Sequence, residues 1–520
     1  MKHPLAHSPR RILFVIAIGV FVPAVDLTVV ATMLRPIILS LEIPLPDGLD
    51  QAAWIVNAYL IAYLLIMPVA GRLSDLWGRR NVFVAAYILF IIGSVWAPFA
   101  TDLNSLLVGR VIAALGGGAM VPVALAIVGD LYPPQQRSRA LGLLSGVETG
   151  GWVWGPLYGA VLIRFLSWQW HFYLNIPLGL LGLGLIWWAL ADWPRPSERL
   201  RLDWVGTAVL TIALFSLNVA LLGGGSDLQS AGGFTAFDDL DTAQQPAWGL
   251  YGLAAVAFVL FIGSQWYQQR IVEKNGRFAF WQAPPLLNLQ LMRQAHFKGG
   301  LLVNLFLGSM IIIVMVNVPL VINVRAVDIA QSALLSGYLL SGMTGAMAIF
   351  AYIGGRLTER CGYRPVTVAG LVLAGAGLGL MGVSWSADTA YGLMVGQLIL
   401  VGMGFGLVLA PMATAVINAA PASERGVAAS LVIVMRLLGM SVGLAALTAW
   451  GLDRFNQLRP HIPLPDLPFT DPAYQTAIID GLTNLTINVL AETFTISAGV
   501  ALLALLVAAW QFRPQAKEHG

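Results

Sequence analysis

Apolar runs of about twenty residues, separated by short polar and often basic segments, recur along this entire chain. Fourteen can be marked, approximately at 12–34, 53–73, 82–100, 104–130, 138–162, 170–191, 203–225, 249–266, 300–323, 333–356, 366–384, 390–420, 424–450 and 493–512. Each is long enough to cross roughly 30 Å of hydrocarbon as an α-helix, which satisfies its own backbone hydrogen bonds in lipid. The pattern predicts an all-α membrane protein with fourteen transmembrane helices. The first run continues to Leu34 and is expected to be an anchor rather than a cleaved leader. The proline-rich stretch 452–492, between the last two runs, reads as a long outer loop.

A second pattern lies over the first. GRLSDLWGRR from Gly71 returns as GRLTERCGYR from Gly355, with glycine, arginine, leucine, a hydroxyl residue, an acid, glycine and arginine in register. The register extends: GRVIAALGGGAMVP from Gly109 leads to Arg137, and GQLILVGMGFGLVLAP from Gly396 leads to Arg425. Two related six-helix bundles are therefore predicted, in 1–192 and 300–520. Helices seven and eight form an inserted pair within 193–299. Parallel repeats of this kind hold substrate between the halves near the midplane. The second linker, with Phe278, Phe280 and Trp281 among basic residues, suits a membrane-surface segment or an ordinary loop equally.

Hydrophobic residues make up 58% of the chain and charged residues 11%, against about 25% charged in a typical soluble domain. The net charge of +3 matters less than its placement. With the amino terminus inside, most of the 29 Lys and Arg, including Arg10, Arg11, Arg72, Arg79, Arg80, Arg137, Arg139, Arg356, Arg360 and Arg364, fall in inner segments. Asp238, Asp239 and Asp241 fall outside. A multi-pass protein of the cell membrane with both termini cytoplasmic is expected. The lone Cys361 excludes an internal disulfide. No GK[ST] phosphate loop, HExxH or paired-cysteine pattern occurs, so neither ATP, a metal, another cofactor nor nucleic acid is expected, and a proton gradient is the expected energy source.

Ionisable residues inside hydrocarbon are costly, which makes Asp26, Arg110, Glu148 and Arg436 candidates for function. Asp26 and Arg110 reach similar depths, and Glu148 and Arg436 both lie near the midplane, so two acid–base pairings are open. Glu148 and Arg436 are repeat equivalents, each eleven residues after its landmark arginine, Arg137 or Arg425. A carboxylate that moves relative to a guanidinium in a low dielectric gains and loses a proton, which suits coupling; a fixed structural ion pair is the plain alternative. Glu148 shares a helix face with Gly155 and Gly159 and is expected to point into a small-residue seam. Asp75 and Glu359 occupy the same place in the two repeats, as gating latches or as parts of short basic loops. Trp54 and Tyr59 on the second helix, and Trp152 and Trp154 on the fifth, suit either a stacked ligand or packing.

Several of these segments resemble a known family. The repeated motif, with Gly71, Asp75 and Arg79 in one copy and Gly355, Glu359 and Arg364 in the other, resembles the gating loop of each bundle in the major facilitator superfamily. GGWVWGPLYGA from Gly150, with Gly151, Gly155, Pro156 and Gly159, looks like the antiporter motif of its exporters. DLTVVATMLRP at Asp26, WQWHFYLNIPLG at Trp168 and RLLGMSVGLA at Arg436 are similar to stretches of its fourteen-span drug:proton antiporters. Ala113 and Ala114 depart from the usual Gln and Gly, and Ala31 from the usual Asn. Glu148 with GPLYG looks more like the lipid-exporting members. The resemblance implies the major facilitator fold and a proton-coupled exporter of amphipathic or lipophilic compounds working by alternating access. Multidrug efflux is the first reading, with a lipophilic or cationic small molecule as partner. Lipid or glycolipid export, with a periplasmic partner, is the alternative. A membrane enzyme or sensor on this scaffold lacks any catalytic constellation.

Overall fold

The computed structural model of the chain describes residues 8–43, 49–194, 201–222, 247–275, 283–325, 329–463, 468 and 471–512. Among them are fourteen long helices and no β-strand. The first six are α1 (Pro9–Ser40), α2 (Leu49–Trp77), α3 (Arg79–Trp96), α4 (Leu103–Leu131), α5 (Pro134–Phe165) and α6 (Gln169–Ala189). The inserted pair is α7 (Trp204–Leu222) and α8 (Trp248–Asn275). The last six are α9 (Ala295–Arg325), α10 (Ile329–Cys361), α11 (Tyr363–Ser384), α12 (Tyr391–Ala419), α13 (Arg425–Leu458) and α14 (Pro472–Gln511). Thirteen are long and apolar enough to cross a membrane by length and composition. The exception, α5, breaks its apolar run with Ser145, Glu148, Thr149 and several glycines, and packs between α1 and α10. Asp238, Asp239 and Asp241, with Phe278, Phe280 and Trp281, lie outside the described residues.

Each half has its own apolar core. Ile16, Val20, Tyr63, Met67, Phe83, Phe90 and Leu125 anchor the first, and Leu307, Val314, Met343, Phe405 and Phe494 the second. The first core continues onto Val432 and Ile433 of α13, so the halves meet through packed side chains. The pair α7 and α8 pack on each other, with α7 against α2 and α13. Asn218 on α7 accepts a hydrogen bond from Ser441 on α13 at 3.0 Å. The repeated motif sits where α2 turns into α3 and α10 into α11. Gly78 and Gly362 make those turns with φ of 93° and 83°, a left-handed backbone that a Cβ disfavours.

Most of the stretch 452–492, expected to be an outer loop, is helical. α13 runs on to Leu458, and α14 starts at Pro472, where the Asp471 carboxylate caps it by accepting from the Ala473 N–H at 2.8 Å. The 40 residues of α14 reach about 60 Å, twice the hydrocarbon thickness. Beyond that thickness the helix needs no continuous apolar run, so hydropathy loses the signal while the helix persists. Arg454 and Glu492 pair there at 3.0 Å and tie the two helices together.

Helices α9 and α13 approach with their backbones almost in contact. A Cβ on Gly308 would stand 1.9 Å from the Arg436 carbonyl oxygen, and one on Gly439 1.9 Å from that of Leu305. Gly308→Ala should therefore destabilise the chain by about 1–3 kcal/mol. Gly263→Ala on α8, with nothing within 4 Å, should leave stability unchanged. Thermal unfolding of the two purified variants in detergent measures the difference.

Candidate functional site

Among the described residues, three polar assemblies hold the charged candidate residues. The first lies within the α1–α6 bundle. Asp26 of α1 accepts from Arg110 of α4 at 2.9 Å through Oδ2. Its Oδ1 lies 2.6 Å from His171 Nε2 and accepts from Asn175 Nδ2 at 3.1 Å, both on α6. Asp26 and Arg110 are each 1% exposed and His171 0%. A buried carboxylate requires such company, because an unpaired buried charge costs several kcal/mol. Arg110 also lies over the Tyr59 ring, 4.0 Å from its centroid, so this tyrosine of α2 closes the cluster. Sequence reasoning paired neither His171 nor Asn175 with Asp26. Their four-residue spacing in WQWHFYLNIPLG, which puts both on one helix face, was the available signal.

The second assembly joins the two halves. Glu148 of α5 accepts from Arg436 of α13 at 2.8 Å, with both side chains 5% exposed or less. Arg436 lies 5.4 Å from the ring centroid of Trp152, one turn further along α5. Two repeat-equivalent positions touch only where both approach the axis that relates the repeats. The glycines of α5 form two seams on opposite faces of the helix. Gly151, Gly155 and Gly159 face Ala24, Thr28 and Thr32 of α1, whereas Gly142 and Gly146 meet the backbone of Ala351 and Ala348 on α10. Glu148 lies on the face of Gly155 and Gly159, about 160° from Gly146, and reaches Arg436 of the opposite bundle. Pro156 follows Gly155 on α5.

The third assembly uses both copies of the repeated motif. Asp75 accepts from the backbone N–H of Gly426 and of Val427, at 2.9 and 3.1 Å, in the first turn of α13 in the other half. Glu424, the residue before α13, makes no side-chain cap bond, so Asp75 caps that helix from across the interface. Close contact of Gly71 with Gly426 permits this: a Cβ on Gly71 would come 2.4 Å from the Gly426 carbonyl oxygen. Arg79 bonds Asp75 at 2.5 Å and Asp130 at 3.0 Å, and Arg425 of α13 bonds Asp130 at 2.9 Å.

The second copy has the same layout with two of the four charges. Glu359 accepts from the Arg139 N–H of α5 at 3.2 Å. Tyr363 stands where Arg79 stands in the first copy and accepts from Asn418 at 2.6 Å, and Arg137 donates to Asn418. Asn418 holds the repeat place of Asp130, and Arg137 that of Arg425. Gly355 packs against Ser138, where a Cβ would lie 2.4 Å from the carbonyl oxygen. Arg364 is exposed.

A model described as Major Facilitator Superfamily matches residues 12–444 and 300–520. The chain belongs to the major facilitator superfamily. Among curated relatives, a triacylglyceride transporter of Mycobacteroides abscessus is 31% identical over 458 residues, covering 85% of this chain and 82% of the relative. A triacylglyceride transporter of Mycobacterium tuberculosis is 31% identical over 515 residues, covering 94% and 93%. Among solved structures, a proton:xylose symporter superposes with a TM-score of 0.62 at 14% identity, covering 97% of this chain and 96% of that one. The human organic anion transporter MFSD10 gives 0.60 at 14%, covering 96% and 100%. At that identity the structures speak for the fold alone. The superfamily is one of transporters, so this chain is not an enzyme.

In this facilitator the four aromatic residues read as stacking candidates separate into two kinds. Tyr59 and Trp152 are buried and each covers an arginine of an ion pair, while Trp54 and Trp154 are 41% and 55% exposed. The two repeat acids differ in their contacts as well. The Asp75 side chain is 1% exposed and holds two backbone N–H groups and Arg79, whereas Glu359 is exposed with one longer bond. Asp75→Asn should lower the population closed at the motif end about fivefold to thirtyfold, the equivalent of ~1–2 kcal/mol. Glu359→Gln should change it less than about twofold. Spin labels on Asn81 and Ser423, in a Cys361→Ser background, read the opening as a longer interspin distance.

Proposed function

We propose that this chain exports a triacylglyceride-type lipid by alternating access, driven by protons moving inward. The observation that carries this reading is the likeness, over 94% and 96% of the chain, to proteins named triacylglyceride transporters. It favours lipid export, the alternative of the sequence reading, over multidrug efflux. The fourteen-helix arrangement and the motif resemblances agree with an antiporter, and the basic motif end is taken as the cytoplasmic face of the cell membrane. Gly150 of α5 and Gly337 and Gly345 of α10 have nothing within 4 Å of a built Cβ. Trp154, Leu157, Leu334 and Tyr338 are exposed on those two helices, an apolar lining suited to acyl chains.

Glu148 and Arg436 supply the coupling. Protonating Glu148 removes the charge opposite Arg436 and leaves a buried guanidinium unpaired, at a cost of about 3–5 kcal/mol. Separation of the halves at this point hydrates Arg436 and removes that cost. Taking a two-state equilibrium from 1:99 to 99:1 needs about 5.5 kcal/mol, so loss of this pair is of the right size, whereas a latch of ~1–2 kcal/mol is not. One proton crossing 100 mV adds about 2.3 kcal/mol, which sustains roughly a fiftyfold substrate gradient.

Proteoliposomes carrying a fluorescent triacylglyceride and, separately, a cationic dye test this under an imposed pH gradient. The lipid should move and the dye should not; the reverse result would restore multidrug efflux. Glu148→Gln and Asp26→Asn, reconstituted in amounts equal to wild type, should reduce gradient-driven lipid movement at least about tenfold. Normal coupled flux in both variants would sink the coupling scheme.

A further inference from the structure

The hydrogen bonding around Asp26 leaves two buried nitrogens idle, Arg110 Nε, which carries its hydrogen permanently, and one nitrogen of the His171 ring. As a carboxylate, Asp26 accepts through Oδ2 from Arg110 at 2.9 Å, and through Oδ1 from Asn175 at 3.1 Å and His171 Nε2 at 2.6 Å. An ionised acceptor that close requires the hydrogen of the imidazole to be on Nε2. Asn175 Nδ2, 3.3 Å from the same nitrogen, is also a donor and is left to Asp26. The other ring nitrogen, Nδ1, is buried and has no hydrogen-bond partner. The ring lies edge-on to Phe172 at 5.0 Å and to Tyr158 of α5 at 5.9 Å.

We propose that Nδ1 of His171 is the proton-binding atom of this cluster, and that Asp26 remains a carboxylate throughout. A proton on Asp26 would break its bond with Arg110 and strand a buried guanidinium. A proton on Nδ1 disturbs none of the three bonds to Asp26. It strengthens the shortest, since Nε2–H then donates from an imidazolium to a carboxylate, and such charge-assisted bonds are roughly twice as strong as neutral ones. Imidazole is also the side-chain type that ordinarily changes charge between about pH 5 and 8.

The ionisable groups around the ring are Asp26 from α1, Tyr59 from α2, Arg110 from α4 and Tyr158 from α5. Helix α3 also packs on α6, but its Tyr87 lies beside Gly182, about 16 Å further along the helix. Loading therefore turns a neutral Arg–Asp–His set into one of charge +1, held against the carboxylate and beside Tyr158. Tyr158 is on α5, which also carries Glu148, so the added charge acts on the helix that makes the ion pair between the halves. The site complements the proton-driven reading above: Glu148 loses its bond when protonated, and the His171 cluster keeps all of its bonds.

His171→Gln preserves an N–H aimed at Asp26 but has no nitrogen that takes a proton. Purified wild type and variant, matched for thermal unfolding, are titrated between pH 8 and 5 without any lipid substrate. The wild type should take up one proton more per chain. In 15N-histidine spectra, the resonance absent from the variant should keep its Nε2–H at every pH and gain a hydrogen at Nδ1 on acidification. In vesicles, gradient-driven lipid movement by the variant should fall at least about tenfold, with its acid limb lost. Equal proton uptake, or a His171 ring that stays neutral down to pH 5, overturns the proposal; a purely structural role for the histidine predicts that outcome. Failure of wild type to move lipid under a pH gradient would instead remove the export reading, and the proton count would still decide the role of His171.

Discussion

The contact between Glu148 and Arg436 is the constraint around which the two halves are arranged. Both positions descend from the same place in the repeat, and both come to the axis between the bundles. Identical residues there would place two like charges together in a low dielectric, which is untenable. The repeats must differ at this point if both keep a charge, and an acid facing a base satisfies the requirement. The surrounding backbone serves the same contact. Gly308 and Gly439 bring α9 against α13 at Arg436, and Trp152 covers the guanidinium from α5.

At the motif end the halves are held differently. There the bonds run from side chains of one half to the backbone and side chains that open the fifth helix of the other. The arrangement uses the unsatisfied N–H groups of a helix start, which every helix has, so it costs the folded state little to build and little to release. Its two copies are unequal. Asp75, Arg79, Asp130 and Arg425 form a continuous charged chain, and the matching chain through Tyr363 and Asn418 has lost two of its charges. The halves are thus joined by two unlike contacts, a charged network at the motif end and a buried ion pair between α5 and α13.

Hydropathy and the repeat made the number of long helices, their order and the motif turns legible, because both signals are local. The helix count holds, and Gly78 and Gly362 stand at the left-handed turns that follow the motif acids. Legibility failed where a helix leaves hydrocarbon. The stretch 452–492 has the prolines and charges of a loop, and α13 and α14 nonetheless occupy most of it. It failed again where a partner came from far along the chain. His171 and Asn175 meet Asp26 across 145 and 149 residues, and no spacing rule links them.

By itself the sequence determined the class of protein, the twofold repeat and the set of charges that had to be accounted for, since the expense of a charge in hydrocarbon does not depend on the fold. Only the tertiary structure decided which charges meet. Depth along a helix left two acid–base pairings open; helix crossings, set by glycines and ring packing, brought Arg110 to Asp26 and Arg436 to Glu148. The same crossings placed Tyr59 and Trp152 over those arginines, and brought a histidine with an idle nitrogen against Asp26. Pairing is a property of the angles and distances between helices, and these arise from the whole packed bundle rather than from any one segment.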